Sequence, residues 1–262
     1  MPWYAAHATV TGSAHRKLNL PCQDFSAFAI LDEVALGVVS DGAGSAARSD
    51  IGARVAVETM LEHIKGKAWN LTPPVLDEAK LFFAEGSARV LKALQTRAEA
   101  EGCCEADLAC TLIAFFATPG WLAAMQIGDG LLVARAPEGN YELLLKPDKG
   151  EYINETTFVT SPLAAEQMQV CVRHGEFSFV CAATDGIESV SIRYQDWTPH
   201  IPFFEPLEQY MRSRPSPEEG AADVAEFLDR PKLNARSDDD KTMLLYSYMK
   251  APSRLLLPSE DL

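Results

Sequence analysis

Paired cysteines, histidine and positive charge are all scarce in this 262-residue chain. Its six cysteines (Cys22, Cys103, Cys104, Cys110, Cys171 and Cys181) include no C-x-x-C pair. Most lie in apolar stretches, where cysteine behaves as a small hydrophobe, so a reduced, cytoplasmic protein is expected. The N-terminal stretch MPWYAAHATVTGSAHRK has no charged leader followed by an apolar run. No segment reaches the roughly 18 apolar residues that a membrane-spanning helix needs, so neither secretion nor membrane insertion is expected. Lysine and arginine number 23 against 37 aspartates and glutamates, a formal net charge of -14. That balance argues against nucleic acid or an anionic membrane as partner, because both require a cationic face. No internal repeat is visible.

Apolar residues are plentiful, at 47% of the chain, enough for one substantial core without disulfides. Residues 1–250 are expected to form a single domain, with 251–262 a loosely attached tail. FSAFAIL and VALGVVS, split by Asp32 and Glu33, read as two strands of a hairpin. Ala53, Val57, Met60, Leu61 and Ile64 then follow helical spacing, predicting an amphipathic helix over 46–65 that stops at Gly66. A second long helix is predicted between the prolines at 73 and 74 and Gly102. LACTLIAFFA, WLAAMQI, LLVARA and YELLL, separated by TPG, GDG and PEGN, read as an antiparallel meander. QVCVRH and FSFVCAATDG resume the strand pattern, helix returns over 202–230, and KTMLLYSY closes as a strand. Strands and helices are segregated and do not alternate as βαβ units, which predicts an α+β fold.

Carboxylates recur at strand ends: Asp41 in VVSDGAG, Asp129 in MQIGDG, Asp185 in VCAATDG, and Asp238, Asp239 and Asp240 before the last strand. Glycine follows directly in three of these cases, allowing positive φ or a close approach to a ligand. Asp-Gly is also a strong hairpin-turn signal, and GDG at 128–130, with strands close on both sides, is the site best read as a turn alone. Several carboxylates gathered at one place repel one another unless cations neutralise them. With few histidines present, oxygen ligands favour Mg²⁺ or Mn²⁺ over zinc.

In order along the chain, PCQDF, DGAGS, GDG, TDGIES and DDDKT resemble the motifs of the type 2C, metal-dependent protein serine/threonine phosphatases, over residues 8–248. The chain is most similar to a bacterial subgroup with a histidine and PCQD where other members have an arginine and an acidic pair. The resemblance implies an αββα sandwich of two antiparallel sheets flanked by helices, with two Mn²⁺ or Mg²⁺ ions in a cleft at one end. It implies that Asp41 bridges both ions and that the carbonyl of Gly42 joins the shell. Asp185 and Asp239 would hold one ion from the opposite side, Asp24 would act through water, and Asp129 would stand near a third, weaker ion. Asp41, Asp185 and Asp239 are thus the expected catalytic set. Two divalent ions about 4 Å apart acidify a water and clamp the attacking and leaving oxygens of an in-line displacement. The implied reaction is hydrolysis of phosphoserine and phosphothreonine in a protein substrate, reversing a bacterial serine/threonine kinase.

The chain departs from the family's pattern at two places. Many eukaryotic members carry a histidine just after the first Asp-Gly, where this chain has Ala43. The phosphate-gripping arginine five residues before the first aspartate is replaced by Asn19, leaving His15 and Arg16 as the favoured phosphate contacts, with Lys17 nearby. INETTFVTS reads as a substrate loop with Thr157 as a contact, or as an ordinary surface excursion. Competing readings are a non-catalytic pseudophosphatase that binds phosphoproteins or a kinase, a small-molecule phosphoesterase, and a calcium module. Retention of Asp41 and Asp185 weighs against the first. SDDDKT lacks the alternating spacing and distal glutamate of an EF-hand, which weighs against the last.

Overall fold

The computed structural model describes residues 3–67, 72–147, 156–213 and 216–249. The predicted hairpin forms as β2 (Phe25–Leu31) and β3 (Val34–Ser40), turning through Asp32, whose φ is 52°. An N-terminal strand, β1 (Trp3–Val10), and a short helix, α1 (Ser13–Leu18), precede it. The strand pattern of WYAAHATV is diluted by three alanines, and α1 has no buried residue to give it a helical apolar stripe. The two long helices are α2 (Ser49–Lys65) and α3 (Leu76–Glu101), the second ending at Gly102 with φ 66°.

The expected meander is two pairs, with a crossing between them. Strands β4 (Leu112–Ala117) and β5 (Trp121–Ile127) pair with each other, as do β6 (Leu131–Arg135) and β7 (Tyr141–Leu145). No pairing joins β5 to β6 among the described residues; Gly128-Asp129-Gly130 carries the chain from one sheet into the other. The helix α4 (Ala164–Gln167) leads into β8 (Gln169–His174), followed by β9 (Phe179–Ala183), α5 (Glu188–Ser191) and a two-residue pair, β10 (Ile192–Arg193) with β11 (Thr198–Pro199). The helical texture expected over 202–230 forms two helices, α6 (Ile201–Arg212) and α7 (Pro217–Leu228). A capping box starts the latter: Glu219 N donates to Ser216 Oγ, and Ser216 N donates to the Glu219 carboxylate. A short α8 (Pro231–Asn234) and β12 (Lys241–Tyr248) complete the order.

Two five-stranded antiparallel sheets result, ordered β1-β12-β9-β6-β7 and β2-β3-β4-β5-β8. Strands β3, β4, β5, β9 and β12 are buried along nearly their whole length because both of their faces are covered. In β4, Leu112, Ala114 and Phe116 pack with Met60, Ile64, Phe83 and Leu94 of α2 and α3. The alternate residues Ile113 and Phe115 meet Leu244 and Tyr246 of the other sheet. Met243 and Leu245 turn outward again, onto Phe204, Met211 and Val224 of α6 and α7. Helix, sheet, sheet and helix therefore stack as an αββα sandwich around three apolar layers. Tyr246 also donates its hydroxyl to Leu36 O at 2.5 Å, a hydrogen bond that ties the sheets together. No helix among the described residues is long and apolar enough to cross a membrane.

Candidate metal centre

Antiparallel register dictates which strand ends meet. Phe25 faces Ser40, so Asp24, before β2, and Asp41, after β3, lie at one end of their sheet. In the second sheet Met243 faces Ala183, which brings Asp185, after β9, and Asp239, before β12, to one end as well. Leu112 faces Ile127 and Leu131 faces Ala183, so Asp129 at the crossing belongs to the same end. Each carboxylate is thus delivered by a strand whose apolar faces are already fixed in the core.

Four of these groups sense one another. Burial raises the pKa of Asp41 well above the ordinary carboxylate value, and the charges of Asp24, Asp185 and Asp239 push it further. Asp24, 5% exposed, is pushed up to about 7, chiefly by burial, against a hydrogen bond from Thr184 that favours its charged form. Asp24 Oδ2 accepts from Thr184 Oγ1 at 2.8 Å, whereas Oδ1 has no donor among the described residues. Burial likewise raises Asp239. Among the described residues no three carboxylate, imidazole or thiol groups already stand at metal-ligand spacing. What the four aspartates share is mutually repelling negative charge, and buried Asp24 adds an acceptor oxygen without a donor among the described residues, a combination that a divalent cation relieves. The residues therefore fit a hard cation held by oxygen.

Backbone contacts fix this arrangement. Asp41 N donates to Thr111 Oγ1 at 3.0 Å, and Thr111 N donates back to Asp41 O at 2.8 Å. The glycines at this end serve mainly to let neighbouring backbone come close. A Cβ on Gly186 would lie 1.9 Å from the carbonyl oxygen of Asp240, and one on Gly12 would lie 2.2 Å from the carbonyl carbon of Asp239. On Gly42 it would lie 2.7 Å from Ser49 and 2.8 Å from Gln23 O. Only Gly128 among the Asp-Gly neighbours has a positive φ, 103°.

The remaining expected site residues are placed differently from one another. Asp129 is buried and accepts from Thr156 Oγ1 at 2.8 Å. Thr157, expected to reach substrate, is 7% exposed and turns its hydroxyl to Gln167, so its neighbour Thr156 is the one that meets a carboxylate. Residues 153–155 of that loop, and the tail from 251, lie outside the described residues. Arg16, expected on phosphate, instead forks onto Asp229, with Nη2 at 2.5 Å from Oδ1, and gives Nε to Thr11 O at 2.7 Å. Its partner lies 213 residues away in the chain, beyond any local pattern. His15 directs Nδ1 to Asp240 Oδ2 at 2.9 Å.

Three participants were given no role by the sequence reading. Asp240 is 2% exposed; its Oδ1 accepts from Gly12 N and its Oδ2 from Gln23 N, each at 2.6 Å. It is therefore a clamp between the first and last motifs, distinct in surroundings from its neighbour Asp239. Lys241, fully buried, donates Nζ to Asp239 O at 2.9 Å and to Asn234 Oδ1 at 3.1 Å. Thr184 donates to Asp24, and both it and Lys241 stand directly beside an acidic motif, the only sequence signal either carried.

Comparison with known proteins agrees with this geometry. The family model described as Protein phosphatase 2C matches residues 11–229. Serine/threonine-protein phosphatase 3 of Escherichia coli (strain K12) is 32% identical over 261 residues, covering 94% of this chain and 98% of that protein. Among solved structures, serine/threonine phosphatase Stp1 from Staphylococcus aureus superposes with a TM-score of 0.65 at 11% identity, over 95% of this chain and 96% of its own. PppA of Pseudomonas aeruginosa gives 0.64 at 17% identity, over 95% and 99%. The catalytic domain of the serine threonine protein phosphatase PstP, solved with two manganese ions, gives 0.60 at 15% identity, over 95% and 99%. A fold built to bring five distant acidic motifs to one end, and a family model that spans most of the chain, lead to one conclusion: this protein belongs to the protein phosphatase 2C family.

Proposed function

We propose that the protein is a metal-dependent protein serine/threonine phosphatase that hydrolyses phosphoserine and phosphothreonine. The observation that carries this reading is the mutual repulsion of Asp24, Asp41, Asp185 and Asp239, gathered where two sheets end. Asp41, Asp185 and Asp239 would hold two Mn²⁺ or Mg²⁺ ions, with the carbonyl of Gly42 and, through water, Asp24; Asp129 would serve a third ion. When bound, such ions supply the Lewis acidity that makes water a nucleophile at neutral pH. The chain's own part is to hold the carboxylates rigidly, through Thr111 on Asp41 and Thr184 on Asp24, and to keep their oxygens in a site dry enough for charge to matter. A dianionic phosphomonoester reaches this acidic protein by way of the cations. The substrate would be a phosphorylated protein, and a cognate serine/threonine kinase its counterpart.

Purified protein should hydrolyse p-nitrophenyl phosphate and a phosphothreonine peptide when Mn²⁺ is added, and neither after chelation. Asp41→Asn should lower turnover by more than about 100-fold, since even indirect metal partners cost about 10- to 100-fold. The same variant should melt higher than wild type when both are metal-free at pH 8, because one member of a repelling set is gone. Near-full metal-dependent rate in Asp41→Asn would remove it from the ligand set; turnover of the small ester alone would mark a small-molecule phosphoesterase, and turnover of neither substrate by wild type a binding protein.

A further inference from the structure

The five histidines differ in their surroundings. His7 lies between β1 and β2, against Ser26 at 3.0 Å and the ring of Phe28. His63 stacks on Phe82, and His174 and His200 are exposed on the surface. Only His15 borders the acidic end, close enough for its charge to bear on Asp239, and it remains partly open to solvent, with 13% of its side chain exposed.

Its orientation is fixed by Asp240. Oδ2 of that buried carboxylate accepts from Gln23 N at 2.6 Å and from His15 Nδ1 at 2.9 Å, while Oδ1 accepts from Gly12 N at 2.6 Å. A carboxylate can only accept, so the proton on this side of the ring belongs to Nδ1. Nε2 is then the ring nitrogen that Asp240 leaves unengaged, on a side chain that is partly open to solvent. The clamp is built from both ends of the chain: α1, which carries His15, rests on the acidic loop through Ala14 N to Asp238 O at 2.9 Å, and Gly12 permits backbone contact with Asp239. His15 is thereby held on Asp240, the residue next to Asp239.

We propose that His15 is the proton donor to the departing serine or threonine oxygen, and that Asp240 is its positioning residue. This role rests on the phosphatase reading above and deepens it. In the step, the oxygen of water bonds to phosphorus and the bond from phosphorus to the substrate oxygen breaks. The Nε2 proton passes to that oxygen, leaving neutral imidazole. One proton of the water goes to solvent, and His15 recovers one from solvent before the next turnover, so the products are the free hydroxyl and inorganic phosphate. A seryl or threonyl alkoxide departs poorly without such a proton, and a positioned acid contributes about 10²- to 10⁴-fold.

Leaving-group chemistry separates a proton donor from a phosphate anchor. In His15→Ala and His15→Gln, with Mn²⁺ present, the loss of kcat/KM on a phosphothreonine peptide should exceed the loss on p-nitrophenyl phosphate by about 100-fold, because nitrophenolate departs without a proton. Imidazole in the buffer should restore part of the peptide rate to His15→Ala. Equal losses on both substrates, expressed in KM, would make His15 a phosphate contact and overturn the proposal. Nitrogen NMR of the metal-free protein gives a reading independent of turnover: wild type should show the Nδ1–H form of His15, and Asp240→Asn should lose it. A neutral imidazole protonated on Nε2 and bare at Nδ1 in wild type would also overturn the proposal. Failure of the phosphatase reading shows separately, as wild type that turns over neither substrate, and takes the proposal with it.

Discussion

Glu208 of α6 is 2% exposed, yet its carboxylate accepts from Arg135 Nη1 and Tyr141 Oη at 2.6 Å, Arg212 Nη2 at 2.7 Å and Ser178 Oγ at 3.3 Å. Burial would raise its pKa, but the hydrogen bonds from Tyr141, Arg135 and Arg212 win and hold it below its ordinary 4.5. A depressed carboxylate stabilises the fold at pH values above its unfolded pKa, and this contribution disappears as pH falls through the folded value. Glu208→Ala should cost about 3 kcal/mol at pH 7, since it leaves the largely buried Arg135 and the hydroxyls of Tyr141 and Ser178 without their shared acceptor. The melting difference between wild type and variant should shrink below about pH 4. A pH-independent difference would mean that the charge is not what counts. Asp24 and Asp41 have the opposite sign: their raised pKa values mean that the metal-free protein loses stability as pH rises from about 4 toward about 7, where Asp24 ionises. At this scale the sequence shows which carboxylates sit at strand ends, because an apolar run followed by Asp-Gly is visible in one dimension. It hides which are satisfied, because the partners of Arg16 and Asp240 lie more than 200 residues away.

Among the elements, the Gly128-Asp129-Gly130 crossing links the fold most directly to the site. The side-chain amide of Gln126, fully buried, donates to Gly128 O and Gly130 O at 2.9 Å each, holding the passage between sheets. A Cβ on Gly128 would lie 2.6 Å from Thr111 Cγ2, and its φ of 103° is strained for any other residue. Gly128→Ala should therefore cost about 1–3 kcal/mol. It should also weaken Mn²⁺ binding, because the residue it displaces is the one that fixes the backbone of Asp41. Calorimetric titration with Mn²⁺, beside a thermal melt, tests both; intact affinity in a destabilised protein would uncouple the crossing from the site. Local pattern found the strands on either side of this crossing but not the change of sheet, since pairing partners leave no mark on the strands themselves. The split between α6 and α7 was legible in principle, as Ser216, Pro217 and Glu219 are a helix start within a longer helical stretch. The strand β1 was harder to see, because its alanines pack between larger neighbours.

For the molecule as a whole, the ends of the described chain lie side by side. Trp3 faces Tyr248 in the pairing of β1 with β12, and the indole of Trp3 packs on Tyr248 with ring centroids 5.0 Å apart. A permuted chain joined through a short glycine linker from Tyr248 to Trp3, and opened between Glu138 and Gly139 in the exposed turn after β6, should fold and keep its Mn²⁺-dependent phosphatase rate. A permutant that melts like wild type but lacks turnover would show that the native ends do more than close the sheet. The α+β class was readable from the segregation of strands and helices, whereas the αββα layering and the acidic end came from the resemblance carried by the ordered motifs. The pairing of first strand with last was not, because it joins residues separated by nearly the full length of the chain.

The clamp of Asp240 on Gly12 and Gln23 sets an order of events during synthesis. The last acidic motif is needed to fasten the first, and β12 must pair before either is secured. A chain that stops before Asp240 lacks the carboxylate that fastens Gly12 and Gln23, so such a fragment should be inert.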